Sequence, residues 1–367
     1  MTRAFAHPGG VYNATPPRVV FGAGAVAELG AEVERLDVKR ALVVTTLGRA
    51  TLGDRVARGL GHLCAGLLPE AVSQVPIELA RRGREKAVGM DADCLIAVGG
   101  GAATGLAKGI AYESGLPIVA VPTTYSGSEM TGFCGMTIEG VKRMHQSSAM
   151  LASAVIYDPE LTRSLPPKVS AASAMNALAH CIDAVYLPTI SPLLVPAAVE
   201  GARTVVTALP AVLTDPHDLE ARTELLYGAY LSGAALTGGF ALQHAIAHML
   251  GGSFGVEHGT AHAVVLPYVT AHLMERAPEA LAQIAEAIGT HDLARHIWDL
   301  VADAGLPTRL ADLGIGPADL GRAVEIATTA EDHADNLPLT RGRANPTPVT
   351  AEVVRAVLTA AAAGERP

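Results

Sequence analysis

Basic charge is the first thing this 367-residue sequence lacks: 27 Lys and Arg face 36 Asp and Glu, for a formal net charge of -9. Surfaces for nucleic acid or anionic membrane are built from clustered Lys and Arg, so both partner classes are excluded. Cysteine is scarce as well. Cys64, Cys94, Cys134 and Cys181 lie far apart with no CxxC pair, which argues against a disulfide framework or a cysteine zinc site. They read as small buried hydrophobes in a reducing compartment. No apolar run reaches the ~18 residues of a membrane span. The N-terminus MTRAFAHPGGVYNATPPR shows no basic start followed by an apolar core, so a soluble cytoplasmic protein is expected.

Half of the residues are hydrophobic, and the length suits two domains with real cores. In the first part, short β-rich runs alternate with helix-like ones. RVVFG (18–22), RALVVTT (40–46) and DCLIAVGGG (93–101) read as strands, and PIVAVPTTYSGSE (117–129) as a strand with its exit loop. AVAELGAEVERL (25–36) and ATGLAKGIAYESG (103–115) read as helices. That rhythm predicts a parallel sheet covered on both faces. Beyond AVIYDPELTRSLP (154–166) the chain is rich in Ala and Leu with few β-branched clusters, which favours helices. The expected division is an α/β dinucleotide-binding domain over 1–160 and an all-helical catalytic domain over 161–367.

GGGAATGLAKG follows a strand and opens a helix, so backbone N–H groups can meet a phosphate there, although a tight turn accounts for the glycines equally well. PTTYSGSE adds four hydroxyls, from Thr123, Thr124, Ser126 and Ser128, on the same predicted sheet edge. After RALVV come Thr45, Thr46 and Arg49, with no acid to read a ribose, so NADPH is not excluded electrostatically.

Residues four apart share a helix face. Asn176 and His180 form one such pair, His244 and His248 another, and Glu257, His258 and His262 follow a glycine turn. A lone histidine on an apolar helix usually packs, but burying several imidazoles requires partners, and the number points to a site. Imidazole suits both a transition metal and proton transfer near neutral pH.

With GGGAATGLAK, PTTYSGSEMT, VIYDPELTRSLP, NALAH and HAIAHMLGGSFGVEHGTAHAVVLP in this order, nearly the whole chain resembles the iron-containing alcohol dehydrogenase superfamily. Within it the chain is similar to the maleylacetate reductases, which share the tyrosine of TTYSGSE, the asparagine of NALAH, LYGA (226–229) and a late NPTPVT (345–350). The resemblance implies a Rossmann-like N-terminal domain, an all-α C-terminal domain, a cleft between them and a homodimer. It implies that Gly99, Gly100, Gly101, Thr123, Thr124 and Ser126 meet NADH or NADPH, with Lys142 near the nicotinamide ribose. In metal-dependent relatives an Asp and three His hold the ion, at positions corresponding to Asn176, His180, His244 and His258; His248 matches a histidine beside the nicotinamide.

Asn176 departs from that metal pattern, since an amide in place of a carboxylate weakens the attraction for a dication among neutral imidazoles. A tightly bound metal is therefore not expected. Gln243, Ala245 and Thr347 stand where maleylacetate reductases usually carry groups suited to a dicarboxylate, which leaves the particular substrate open. The expected activity is NAD(P)H-dependent reduction of maleylacetate or a similar 4-oxo-2-enoate. His244 and His248 are the expected oxyanion and proton donors, supported by His180 and His258. The alternatives are a metal-dependent alcohol or polyol dehydrogenase, a lyase or cyclase on a related nucleotide fold, and a binding subunit without catalysis.

Overall fold

In a computed structural model, which describes residues 17–139, 141–187, 190–329 and 349–367, the alternating apolar runs of the first part become one parallel sheet. Its strands are β1 (Arg18–Phe21), β2 (Ala41–Val44), β3 (Cys64–Leu68), β4 (Cys94–Gly99), β5 (Ile118–Pro122) and β8 (Ala154–Tyr157), ordered β1-β8-β5-β4-β2-β3. The side-chain period of two splits these strands between two cores. Ala41, Val43, Cys94, Ile96, Val98, Val119 and Val121 pack under α1 (Leu29–Arg35) and α2 (Ala50–Leu60). Leu42, Val44, Leu95, Ala97 and Ala120 face the opposite way, and with them pack residues of α3 (Ile77–Gly89) and α4 (Gly101–Ser114). Both faces are covered, as the continuous apolar strands require.

Between β5 and β8 the chain makes an antiparallel hairpin, β6 (Phe133–Ile138) and β7 (Val141–Gln146). The sequence reading does not contain it. Cys64 is half-buried and the other three cysteines are buried; all four are free.

From residue 167 on, the regular elements among the described residues are helical. They are α5 (Pro167–Val185), α6 (Leu194–Thr214), α7 (Leu219–Leu236), α8 (Leu242–Phe254), α9 (His258–Arg276), α10 (Pro278–Ile288), α11 (Leu293–Asp303), α12 (Leu320–Thr329) and α13 (Ala351–Ala363). Their apolar core is continuous with the lower face of the sheet: Leu42, Leu106, Leu178, Leu266 and Leu358 belong to a single buried cluster. No helix of the described residues is long and apolar enough to cross a membrane.

Strand order reverses around β4, from which β5 lies on one side and β2 on the other. In such sheets a crevice opens beyond the carboxyl ends of the strands. The glycine run, Thr46 and the Thr123–Ser128 loop all leave the sheet at that edge.

Candidate active site

Gly99 ends β4 at φ +147, Gly100 caps α4, and Gly101 is its first residue, so the helix starts two residues earlier than its composition suggests. A Cβ on Gly100 would stand 2.8 Å from Thr124 Cγ2, whereas one on Gly101 would meet nothing. The run is thus tight where two loops cross and open where it faces the crevice. The first-turn N–H groups of a 14-residue helix lack intrahelical acceptors and favour an anion. Thr123 and Thr124 turn buried hydroxyls towards the same place with no partner of their own among the described residues. These residues fit the diphosphate and sugar of a dinucleotide. Of the predicted hydroxyls at the end of β2, Thr45 donates to the Val98 carbonyl at 2.7 Å and is fully buried, while Thr46 and Arg49 line the cleft.

The loop after β5 carries the site across to the helices. Tyr125 N donates to Ser173 Oγ at 2.9 Å, and Asn176 Nδ2 donates to the Ser126 carbonyl at 3.2 Å. A Cβ on Gly127 would lie 3.1 Å from His180 Nδ1, so glycine lets the loop pass directly over that ring. Beneath the loop, Arg222 of α7 is fully buried with no carboxylate partner among the described residues. It donates to Tyr125 Oη and Ser170 Oγ, each at 2.9 Å, and to the Leu165 and Pro216 carbonyls, each at 3.0 Å. Lys108 of α4 is likewise buried, and donates to the carbonyls of Ser128 (2.5 Å) and Phe133 (2.8 Å); burial holds its pKa down at about 8. Sequence reasoning passed over both cations.

Five histidines meet where α5, α8 and α9 converge. His180 stacks on His244 with ring centroids 4.9 Å apart, and His248 lies 5.8 Å from His244 and 5.3 Å from His258. The two i,i+4 pairs, Asn176–His180 and His244–His248, supply three of the five, and His258 comes from the cluster after the glycine turn. The fifth, His262, sits 4.5 Å from His244 and 4.7 Å from His258; it follows His258 at the same interval, which was the signal for it. Burial holds His180, His248, His258 and His262 well below the usual imidazole range, and each is further depressed by the charge of neighbouring histidines.

His244 has a carboxylate. Asp183, one turn beyond His180 on α5, places Oδ2 2.7 Å from His244 Nδ1 and also accepts from the backbone of Ala241 (2.9 Å) and His244 (3.1 Å) and from the Tyr186 hydroxyl. Asp183 was not among the predicted residues. Its sequence signal is an acid in the otherwise apolar HCIDAVY.

Gln243 and Ala245 prove to be buried away from the cleft. Gln243 Nε2 lies 3.3 Å from His262 Nδ1 and donates to the His262 carbonyl at 3.2 Å. Neither position lines the cavity, so their neutrality removes no charge from its wall. Thr347 lies outside the described residues.

One cavity of about 1010 Å³ is lined by Gly100, Gly101, Thr123 and Thr124 from the sheet edge and by Asn176, His180, His244, His248 and His258 from the helices. Lys142 of β7 lines it too. Residues 16–159 match the family model for the iron-containing alcohol dehydrogenases, and 170–362 match the model for that family's C-terminal part. The chain belongs to the iron-containing alcohol dehydrogenase family. Family membership makes it an oxidoreductase, with the parallel sheet and helical C-terminal part described above.

Among its relatives, the maleylacetate reductase of Burkholderia cepacia is 41% identical over 358 residues, covering 97% of this chain and 99% of that protein. Maleylacetate reductase 1 of Rhodococcus opacus is 38% identical, with 97% of each covered. The crystal structure of maleylacetate reductase from Rhizobium sp. strain MTP-10005 superposes with a TM-score of 0.89 at 38% identity, covering 97% of this chain and 99% of that one. The corresponding enzyme structure from Agrobacterium tumefaciens gives 0.90 at 38% identity, covering 98% and 100%.

Proposed function

We propose that this chain reduces maleylacetate, or a closely similar 4-oxo-2-enoate, with NADH or NADPH and without a metal. The observation that carries the reading is the shared cavity: a dinucleotide edge and a wall of imidazoles line it together, in a chain that aligns with maleylacetate reductases over 97% of its length.

When bound, a reduced nicotinamide supplies the hydride. The substrate accepts it at the alkene carbon β to the ketone, so negative charge develops on the ketone oxygen and the intervening carbon takes a proton. The chain's residues serve those two needs. An ionised carboxylate only accepts hydrogen bonds, so Asp183 fixes the hydrogen of His244 on Nδ1 and stabilises the ring when Nε2 is protonated. His244 is the group suited to hold and deliver the proton. His248, His180 and His258 stay neutral and offer N–H donors to the developing oxyanion.

The ligand set supports a metal-independent reaction. A dication in the family position would rest on Asn176, His180, His244 and His258. Asn176 spends its amide N–H on Ser126, and its free Oδ1 carries no charge. Among the described residues, the His, Cys, Asp or Glu group with three donor atoms within 4.8 Å of one another is instead His248, His258 and His262. That trio has no anionic member, and His262 is already engaged by Gln243. The neutral donor set therefore supports a reaction that does not depend on a tightly held ion.

Thr46 and Arg49 at the end of β2 support acceptance of NADPH beside NADH, since no carboxylate there repels a 2′-phosphate. The test is loss of nicotinamide absorbance at neutral pH with maleylacetate, before and after EDTA. Turnover with either nicotinamide, unchanged by chelation, is expected. Reduction of simple aldehydes or ketones but not of maleylacetate would reject the substrate, and chelator-reversible loss of activity would reject metal independence.

A further inference from the structure

Among the described residues, the cavity wall carries three cations, Arg49, Lys142 and Lys168, and one carboxylate, Glu257. Glu257 is already committed as the N-cap of α9, accepting from Gly259 N at 3.1 Å and Thr260 N at 2.8 Å. Arg49 is held at the β2 end by Ser164 at 2.7 Å, and Lys168 is exposed at the start of α5. Lys142 differs from both in its surroundings.

Its stem runs through a slot made by two glycines. A Cβ on Gly135 of β6 would stand 2.5 Å from Lys142 Cε, and one on Gly252 of α8 would stand 3.4 Å from Lys142 Cβ. Gly252 is one turn beyond His248, so the slot delivers the ammonium to the histidines, where its charge helps keep His248 and His258 neutral. The side chain is half-buried, and its desolvation in the slot holds its pKa down at about 8. No hydrogen bond or ion pair is made by Lys142 among the described residues. The buried group beside it, Cys134, stays a neutral thiol because burial pushes its pKa up.

A half-buried ammonium that lines the cavity with neither carboxylate nor carbonyl partner among the described residues, its stem fixed between two glycines, is placed to meet an anion that enters the cavity. The family resemblance places this lysine near the nicotinamide ribose, but a ribose hydroxyl cannot balance a charge. With positions 243 and 245 turned away from the cavity, a dicarboxylate needs a cation from another element. We infer that Lys142 is the anchor for one carboxylate of the substrate, holding it against His248 and His258; this rests on the maleylacetate reading.

The test compares wild type with Lys142→Met and Lys142→Arg, using maleylacetate, its uncharged dimethyl ester, and NADH binding by fluorescence. Losing a charge-assisted hydrogen bond to a carboxylate weakens binding by about 10- to 100-fold, so Lys142→Met should lose that much kcat/KM for maleylacetate, mainly through KM. The loss should be at least about tenfold smaller for the ester than for the acid, and Lys142→Arg should recover most of the loss for the acid. Equal losses for acid and ester, or a loss confined to NADH affinity, would overturn the anchor.

A second readout needs no turnover. Adipate, a saturated six-carbon dicarboxylate, should raise the melting temperature of the wild-type NADH complex and leave that of Lys142→Met unmoved. If the wild type fails to reduce maleylacetate yet keeps this Lys142-dependent stabilisation, the substrate assignment falls and the anion site stands. Equal stabilisation of both proteins removes the anchor itself.

Discussion

Asp183 Oδ2 and His244 Nδ1 stand 2.7 Å apart with both side chains shut off from solvent, and this contact decides which nitrogen of His244 faces the cleft. An amide at position 183 could turn its NH2 towards the ring and favour the opposite tautomer. Asp183→Asn should lower kcat about 10- to 100-fold, as loss of a partner behind a functional histidine does. NADH affinity should stay close to wild type, which fluorescence titration beside steady-state kinetics will check. Asp183→Ala should also cost about 3 kcal/mol in urea unfolding, because the Tyr186 hydroxyl and the backbone N–H groups of Ala241, Gln243 and His244 lose their acceptor.

The two glycines at the start of α4 should respond differently to the same substitution. A methyl at position 100 meets Thr124 Cγ2 at 2.8 Å and Oγ1 at 2.9 Å. Overpacking of this kind costs about 1–3 kcal/mol. Gly100→Ala should therefore weaken NADH binding by about 5- to 100-fold through displacement of the Thr124 loop. Adding Thr124→Ala should restore part of it, since only Cβ, at 3.4 Å, would remain in the way. At Gly101 a methyl touches no protein atom, so any lost affinity in Gly101→Ala measures the ligand's own approach.

Acid should unfold this protein through its histidines. His180, His248, His258 and His262 remain neutral in the fold, whereas in the unfolded chain each takes a proton as pH falls below about 6.5. The unfolded state then binds more protons, and stability is lost as pH falls. The slope approaches about 1.4 kcal/mol per pH unit for each group. Urea unfolding between pH 7.5 and 5 will show it. His262→Gln should flatten the slope by close to one group's share, and an unchanged slope would refute this account.

Restoring the carboxylate at position 176 should create metal affinity. Asn176→Asp adds an anionic oxygen beside His180, where the amide oxygen now has no partner. Elemental analysis of the purified proteins should find near-stoichiometric divalent metal in the variant and little in the wild type. Without metal the variant should be less stable, since a carboxylate cannot donate to the Ser126 carbonyl as the amide does.

What could be read in advance divides by how local the cause is. Repeats of four on a helix and runs of β-branched residues are properties of a few neighbouring residues, so His180, His244, His248, His258 and four of the six sheet strands were visible in the sequence, whereas β3 and β8 were not read as strands. Asp183, Gln243 and Arg222 take their meaning from groups tens of residues away, and Gln243 next to His244 looked like a cleft residue until the helix phase turned it towards His262. The β6–β7 hairpin escaped for another reason: VKRMHQ, part of which lines the cavity, mixes charge into its strand, and its alternation is weak.

Arg222 carries one more consequence. Its guanidinium joins the cofactor-side loop at Tyr125, the connection at Leu165 and the first turn of α5 at Ser170. Prising the sheet-bearing part from the helical part would strip these bonds and leave a bare cation in apolar surroundings. At this point the two parts are tied by a cation that has no water to fall back on, so separating them here carries a desolvation cost as well as the lost bonds.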